Sequence, residues 1–204
     1  MSAVSVLLSA AIGYLLGSVN FGYLYGRLFR GVDIRRLGSG NAGATNALRV
    51  FGKGPAAAVL LLDVGKAAAA VAFGRLVGAG EIWAPVAGGL AAVVGHNWPV
   101  FFRFRGGKGI ASTIGAMASL SFVPTLVAGA VAIAVIALTR YVSVGSLVFV
   151  SLLPPLFWAM RRPSELVWAS VATAVLAFVR HRQNLVRLRR GTEHRLGGKR
   201  GDVA

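Results

Sequence analysis

Seven apolar runs, at residues 3–25, 55–80, 82–101, 110–121, 122–139, 145–160 and 164–180, alternate with short polar segments along the chain. Most approach the roughly 20 residues that a helix needs to cross a hydrocarbon core, and only helices and closed barrels satisfy their backbone groups in lipid. The pattern therefore predicts an all-α polytopic membrane protein with about seven transmembrane helices. The fourth run has only about 12 residues and abuts the fifth near residues 121–124, so one of the two is expected to be short or re-entrant. The first run follows Met1 with no basic leader or clear cleavage site, and it is read as a retained helix.

The polar segments are nearly all basic. With the N-terminus outside, the inside segments 26–54, 102–109, 139–144 and 180–204 carry 18 of the 22 Lys and Arg residues, against Arg161 and Arg162 outside. This asymmetry predicts N-terminus out and C-terminus cytoplasmic. Composition agrees, with 56% hydrophobic residues and a mean hydropathy of +0.70. A net charge of +16 would also suit nucleic acid, but the basic residues fall between apolar runs, where they face anionic lipid, and no nucleic-acid partner is expected. There is no cysteine, hence no disulfide framework or thiolate nucleophile. Three histidines and few nearby carboxylates predict no metal, and no cofactor is expected. One membrane domain over 1–190 is followed by a polar basic tail, 191–204, expected to fray.

The candidate chemistry gathers on the predicted inside face. Segment 38–46 holds Gly38, Ser39, Gly40, Asn41, Gly43, Thr45 and Asn46, followed by Arg49. Backbone, hydroxyl and carboxamide donors without negative charge suit a phosphate or a developing oxyanion. Segment 95–109 runs from His96 to Gly106, Gly107, Lys108 and Gly109, where small residues free backbone N–H groups and lysine adds a point charge. It is not a P-loop, because Phe102 and Gly109 stand where that motif needs Gly and Ser or Thr. Asp63 and Lys66 lie at i and i+3 inside the second run, share one helix face, and should turn toward the bundle and pair. Ser143 and Ser146 would share a face if a helix has begun there, as would His181 and Asn184 in the C-terminal basic block. No histidine is followed by an aspartate at the fifth position: Phe101, Val186 and Lys199 occupy those places. A reaction run here must rely on anion stabilisation and an already activated substrate.

Taken together, GSGNAGATNALR (38–49), DVGK (63–66), GHNWPVFFRFRGGKGIAST (95–113), YVSVGS (141–146) and RHRQNLVRL (180–188) resemble the bacterial acyl-phosphate glycerol-3-phosphate acyltransferases over essentially the whole chain. The resemblance implies a seven-helix inner-membrane enzyme with a cytoplasmic active site. It would transfer a fatty acyl group from acyl phosphate to the 1-hydroxyl of glycerol 3-phosphate, giving lysophosphatidic acid and phosphate. It also implies an acyl-phosphate seat at Ser39, Gly40, Asn41 and Gly43, glycerol 3-phosphate binding by Arg49, Lys108, Ser146, His181 and Asn184, and an essential histidine at His96. His96, Ser39 and Asn41 are the catalytic candidates; Thr45, Asn46, Gly106, Gly107, Gly109 and Ser143 join the substrate-binding set. The expected partners are the two small substrates and membrane lipid. The oligomeric state is left open, a monomer being compatible. The alternative is a transporter or channel for a phosphorylated or other anionic solute, since buried charges and broken helices also mark transport paths.

Overall fold

The computed structural model describes residues 3–197, and among these the only regular elements are helices. The first apolar run is not a single helix. It forms α1 (Ala3–Ser18) and α2 (Phe21–Arg30), interrupted at Val19 and Asn20, where the Asn20 side chain caps α2 by accepting the Tyr23 N–H at 3.0 Å. Continuous apolarity conceals the break because Asn20 is the one polar residue that marks it, acting as an ordinary N-cap.

A short 3-10 helix at Ile34–Arg36 and α3 (Ala44–Phe51) build the polar segment that follows, and α4 (Lys53–Gly78) is the second apolar run. The remaining runs become α5 (Trp83–Asn97), α6 (Ile110–Leu120), α7 (Phe122–Thr139), α8 (Val142–Ala159) and α9 (Ser164–Arg180), with a surface helix α10 (Arg182–Arg189). The α1–α2 stretch, α4, α7 and α8 are each long and apolar enough to cross a membrane. As expected, α6 and α7 part at Ser121, and α6 is the short member. Its 11 residues rise about 16 Å, too little for a hydrocarbon core near 30 Å.

Small residues set the packing. α1 lies along α5 with its glycines against backbone: a Cβ on Gly17 would run into the Ala92 carbonyl, and one on Gly95 into that of Tyr14. Close approach of this kind replaces the missing hydrophobic drive between helices in lipid with van der Waals contact and polar ties. Two such ties fasten α1 to the two ends of α5, Ser9 Oγ donating to the Ala84 carbonyl at 2.6 Å and Tyr14 Oη to that of Trp98 at 2.8 Å. The main core lies among α4, α5, α6, α8 and α9, with Val71, Val93, Met117, Leu153 and Phe157 fully buried. A smaller cluster around Ile34, Ala42, Ala47 and Val59 seats the 34–51 segment on α4. The polar segments of four different loops thereby meet at one end of the bundle.

Candidate active site

A cavity of about 520 Å³ occupies that end. Its lining combines polar and aliphatic side chains. Ser39, Asn41, Gly43, Thr45 and Arg49 contribute from the 38–49 segment, Lys108 and Gly109 from the loop before α6, Ser143 and Ser146 from α8, and His181 and Asn184 from the α9–α10 corner. The apolar remainder comes from Ala56, Leu60, Ile114, Ile133 and Ile136 on α4, α6 and α7. Asp63 and His96 line it more deeply buried. Most of the sequence candidates therefore converge.

Four do not line the cavity, and each has a structural occupation. Asn46 is fully buried and staples its own loop: Nδ2 donates to the carbonyls of Ile34, Leu37 and Asn41, and Oδ1 accepts the Ser39 N–H at 2.8 Å. One side chain here replaces the secondary structure that the 38–46 segment lacks, and so presents Ser39 and Asn41. Gly40 takes a left-handed φ of 71° in the same turn. Gly107 donates its N–H to the His96 carbonyl at 3.0 Å, so that group is not available to an anion as the sequence suggested. Arg180 grips the carbonyls of Gly106 and Gly107 at 2.8 to 3.2 Å and stacks over Trp98. The glycine loop thus also serves as a bracket that carries Lys108.

Lys108 Nζ donates to Asn184 Oδ1 at 2.5 Å. Asn184 Nδ2 donates to Glu193 Oε1 at 2.6 Å, and Glu193 also accepts from Ser143 Oγ and Arg187 Nε, both at 2.8 Å. The expectation of a chain fraying from residue 191 therefore fails at Glu193, which is buried against the bundle; residues 198–204 of that tail lie outside the described residues. A lone carboxylate in a strongly basic block was the available signal, since it cannot sit among arginines without pairing. Burial pushes the Glu193 carboxyl up, but the hydrogen bonds from Asn184, Arg187 and Ser143 outweigh this and hold it below its ordinary value. Burial pulls Lys108 down to about 8, an effect that Glu193 opposes and the charges of Arg187, Arg49 and Arg180 reinforce. Burial, followed by the charge of Lys108, brings His181 down to about 4, so its ring is neutral near pH 7. His181 Nδ1 faces the Ala177 carbonyl at 2.8 Å and must donate to it, which leaves Nε2 as an acceptor suited to a hydroxyl.

At the deep end Asp63 and Lys66 form the anticipated pair, with Nζ 2.8 Å from Oδ1. His96 belongs to the same cluster, a connection that sequence spacing did not reveal: its Nδ1 is 2.9 Å from Lys66 Nζ and 3.4 Å from Asp63 Oδ1. Lys66 also donates to the Val19 carbonyl at 2.6 Å, an acceptor exposed by the α1–α2 interruption. Among the described residues no group of three metal-ligating side chains occurs.

A helical bundle with candidate membrane spans and a cavity lined by both basic and aliphatic side chains suits an amphiphilic anion and points to a membrane-embedded lipid-handling protein. The family described as glycerol-3-phosphate acyltransferase matches residues 7–191, and the chain belongs to that family. Among its relatives, the glycerol-3-phosphate acyltransferase of Shouchella clausii (strain KSM-K16) is 48% identical over 96% of this chain and 98% of its own length. That of Halalkalibacterium halodurans is 48% identical over 92% of this chain and 93% of its own length. Crystal structures of an integral membrane glycerol 3-phosphate acyltransferase superpose over 95% of this chain and 96% of that one at 35% identity. The glycerol 3-phosphate form gives a TM-score of 0.90 and the lysophosphatidic acid form 0.87.

Proposed function

We propose that the protein transfers a fatty acyl group from acyl phosphate to the 1-hydroxyl of glycerol 3-phosphate, releasing lysophosphatidic acid and inorganic phosphate. The observation that carries this reading is the mixed lining of the cavity, with Arg49, Lys108, His181 and Asn184 among its polar groups and Leu60, Ile114, Ile133 and Ile136 among its aliphatic ones. The phosphate of glycerol 3-phosphate is placed against Arg49 and Lys108, and its glycerol hydroxyls against His181, Asn184 and Ser146. Ser39, Asn41, Gly43 and Thr45 receive the acyl-phosphate group, and the aliphatic tail follows the α4–α7 side.

The chemistry of the cavity's lining favours an activated acyl donor. Both carboxylates lining it are already committed, Asp63 to Lys66 and Glu193 to Arg187, Asn184 and Ser143. Neither is a natural general base, which favours a mixed anhydride whose phosphate leaves readily. The 1-hydroxyl oxygen attacks the acyl carbon and the carbon–oxygen bond to phosphate breaks. The hydroxyl proton leaves with the phosphate, and Ser39 and Asn41 donate to the charge that develops on the acyl oxygen.

On this reading the protein is a bacterial inner-membrane enzyme of about seven transmembrane helices, the short α6 crossing only part of the bilayer, with the N-terminus outside and the site on the cytoplasmic face, where the basic loops lie. Purified protein in lipid, supplied with glycerol 3-phosphate and either acyl phosphate or acyl-CoA, tests both substrates. Lysophosphatidic acid and stoichiometric phosphate from acyl phosphate alone is the expected result; product from acyl-CoA alone overturns the donor, and no product from folded protein overturns the activity.

A further inference from the structure

The buried trio at the floor of the cavity has an internal logic that the reaction above does not use. Lys66 Nζ meets three acceptors: the Val19 carbonyl at 2.6 Å, Asp63 Oδ1 at 2.8 Å and His96 Nδ1 at 2.9 Å. An ammonium has three N–H donors and no acceptor, so this set saturates it. Asp63 matches its charge, which is the condition for keeping a lysine at a site where its side chain is only 4% exposed. The near ring nitrogen of His96 faces both a donor-only ammonium at 2.9 Å and the Asp63 Oδ1 acceptor at 3.4 Å, and the shorter contact is made only if that nitrogen accepts. The ring proton is then on Nε2. That nitrogen lies beside Gly107, where any Cβ would collide with it. His96 is 2% exposed and lines the cavity.

We infer that Asp63 and Lys66 are positioning residues that lock His96 as the Nε2–H tautomer, making it a hydrogen-bond donor to the reacting acyl-phosphate group and not the base that takes the hydroxyl proton. The inference rests on the acyltransferase reading for what the donor touches, but the tautomer itself does not. Three elements share the device: α4 supplies the ion pair, α5 the imidazole, and the α1–α2 interruption the carbonyl that fixes the lysine. Gly107 meets the donor edge with backbone alone, leaving it free of a side chain, which gives that glycine a purpose other than holding phosphate.

Two measurements test it. Protein labelled with 15N-histidine, with His96 assigned by the signals lost in His96→Gln, is expected to show a protonated Nε2 and a bare Nδ1; an Nδ1–H ring or an imidazolium overturns the inference whether or not the protein turns over substrate. In turnover, His96→Ala is expected to lose about 100-fold in kcat, the scale of one oxyanion donor. His96→Gln, whose amide can donate but cannot act as a base, is expected to stay within about tenfold of wild type. A glutamine variant as inactive as the alanine one overturns the donor role. The charge-neutral double variant Asp63→Asn/Lys66→Met guards against simple misfolding: a folded protein with a mixed tautomer and reduced kcat at unchanged KM for glycerol 3-phosphate is expected, and unchanged tautomer and kcat overturn the positioning role. Wild-type protein forming no product sinks the acyltransferase reading, whereas the nitrogen spectra judge the tautomer independently.

Discussion

Two groups of charge, one at Asp63 and Lys66 and one around Glu193, are balanced differently. At the floor, Asp63 and Lys66 neutralise each other and His96 packs against them, so the group carries no surplus charge to attract an outside ion. At the mouth, Arg49, Lys108, Arg180 and Arg187 act on one another around one carboxylate, Glu193, and the positive surplus suits a phosphate. Burial alone therefore does not distinguish a binding site from a structural strut. What distinguishes them is whether the charges sum to zero before the ligand arrives, since an unbalanced buried set is costly until something fills it.

The contrast can be broken first at its balanced end. Lys66→Met leaves Asp63 buried and unpaired and should cost about 3–5 kcal/mol of stability, whereas Asp63→Asn/Lys66→Met should recover most of it, as read by thermal unfolding in detergent. Lys108→Met at the unbalanced end should instead leave the unfolding temperature near wild type and lower kcat/KM for glycerol 3-phosphate about 100- to 1,000-fold, measured by steady-state kinetics. If the two variants exchanged phenotypes, the assignment of strut and site would be reversed.

A milder probe is pH. Free Lys108 is charged below about 8 and neutral above it, and phosphate binds the charged form, so affinity is present at pH 7 and lost as pH rises through 8. KM for glycerol 3-phosphate should climb by up to about tenfold per pH unit above that point, and Lys108→Arg should abolish the climb. The smallest effect expected is Glu193→Gln, which keeps an acceptor for Ser143 and Asn184 but gives up the ion pair with the partly exposed Arg187. A loss of about 1 kcal/mol in stability is expected, checked by the same unfolding measurement.

Much of this was readable from the chain because it depends on neighbours in sequence. Apolar runs set the helices, and Asp63 and Lys66 declare themselves a pair by lying three apart on a helix that has no water to offer them. What escaped depends on which carbonyl or side chain the fold brings from elsewhere. Asn46 looks like one more ligand in a polar loop, yet it spends both ends of its carboxamide on that loop's backbone. His96 lies 30 residues from Lys66 in the chain and 2.9 Å from it in space, a pairing that follows only from how α4 packs on α5. Glu193 shares the fate of chain ends in being taken for solvated, although its isolation among arginines predicted a partner.

Leu60 and Ile133 line the cavity and are also exposed at the surface, on α4 and α7, two helices that meet mainly through α6. On the proposed reading, this cleft lets the aliphatic substrate enter sideways, without leaving the bilayer. The concentration that governs the rate is then its mole fraction among the surrounding lipids and not its molarity in the buffer. Adding inert lipid at a fixed amount of acyl phosphate should slow the enzyme as surely as withholding substrate, while leaving its response to water-borne glycerol 3-phosphate untouched.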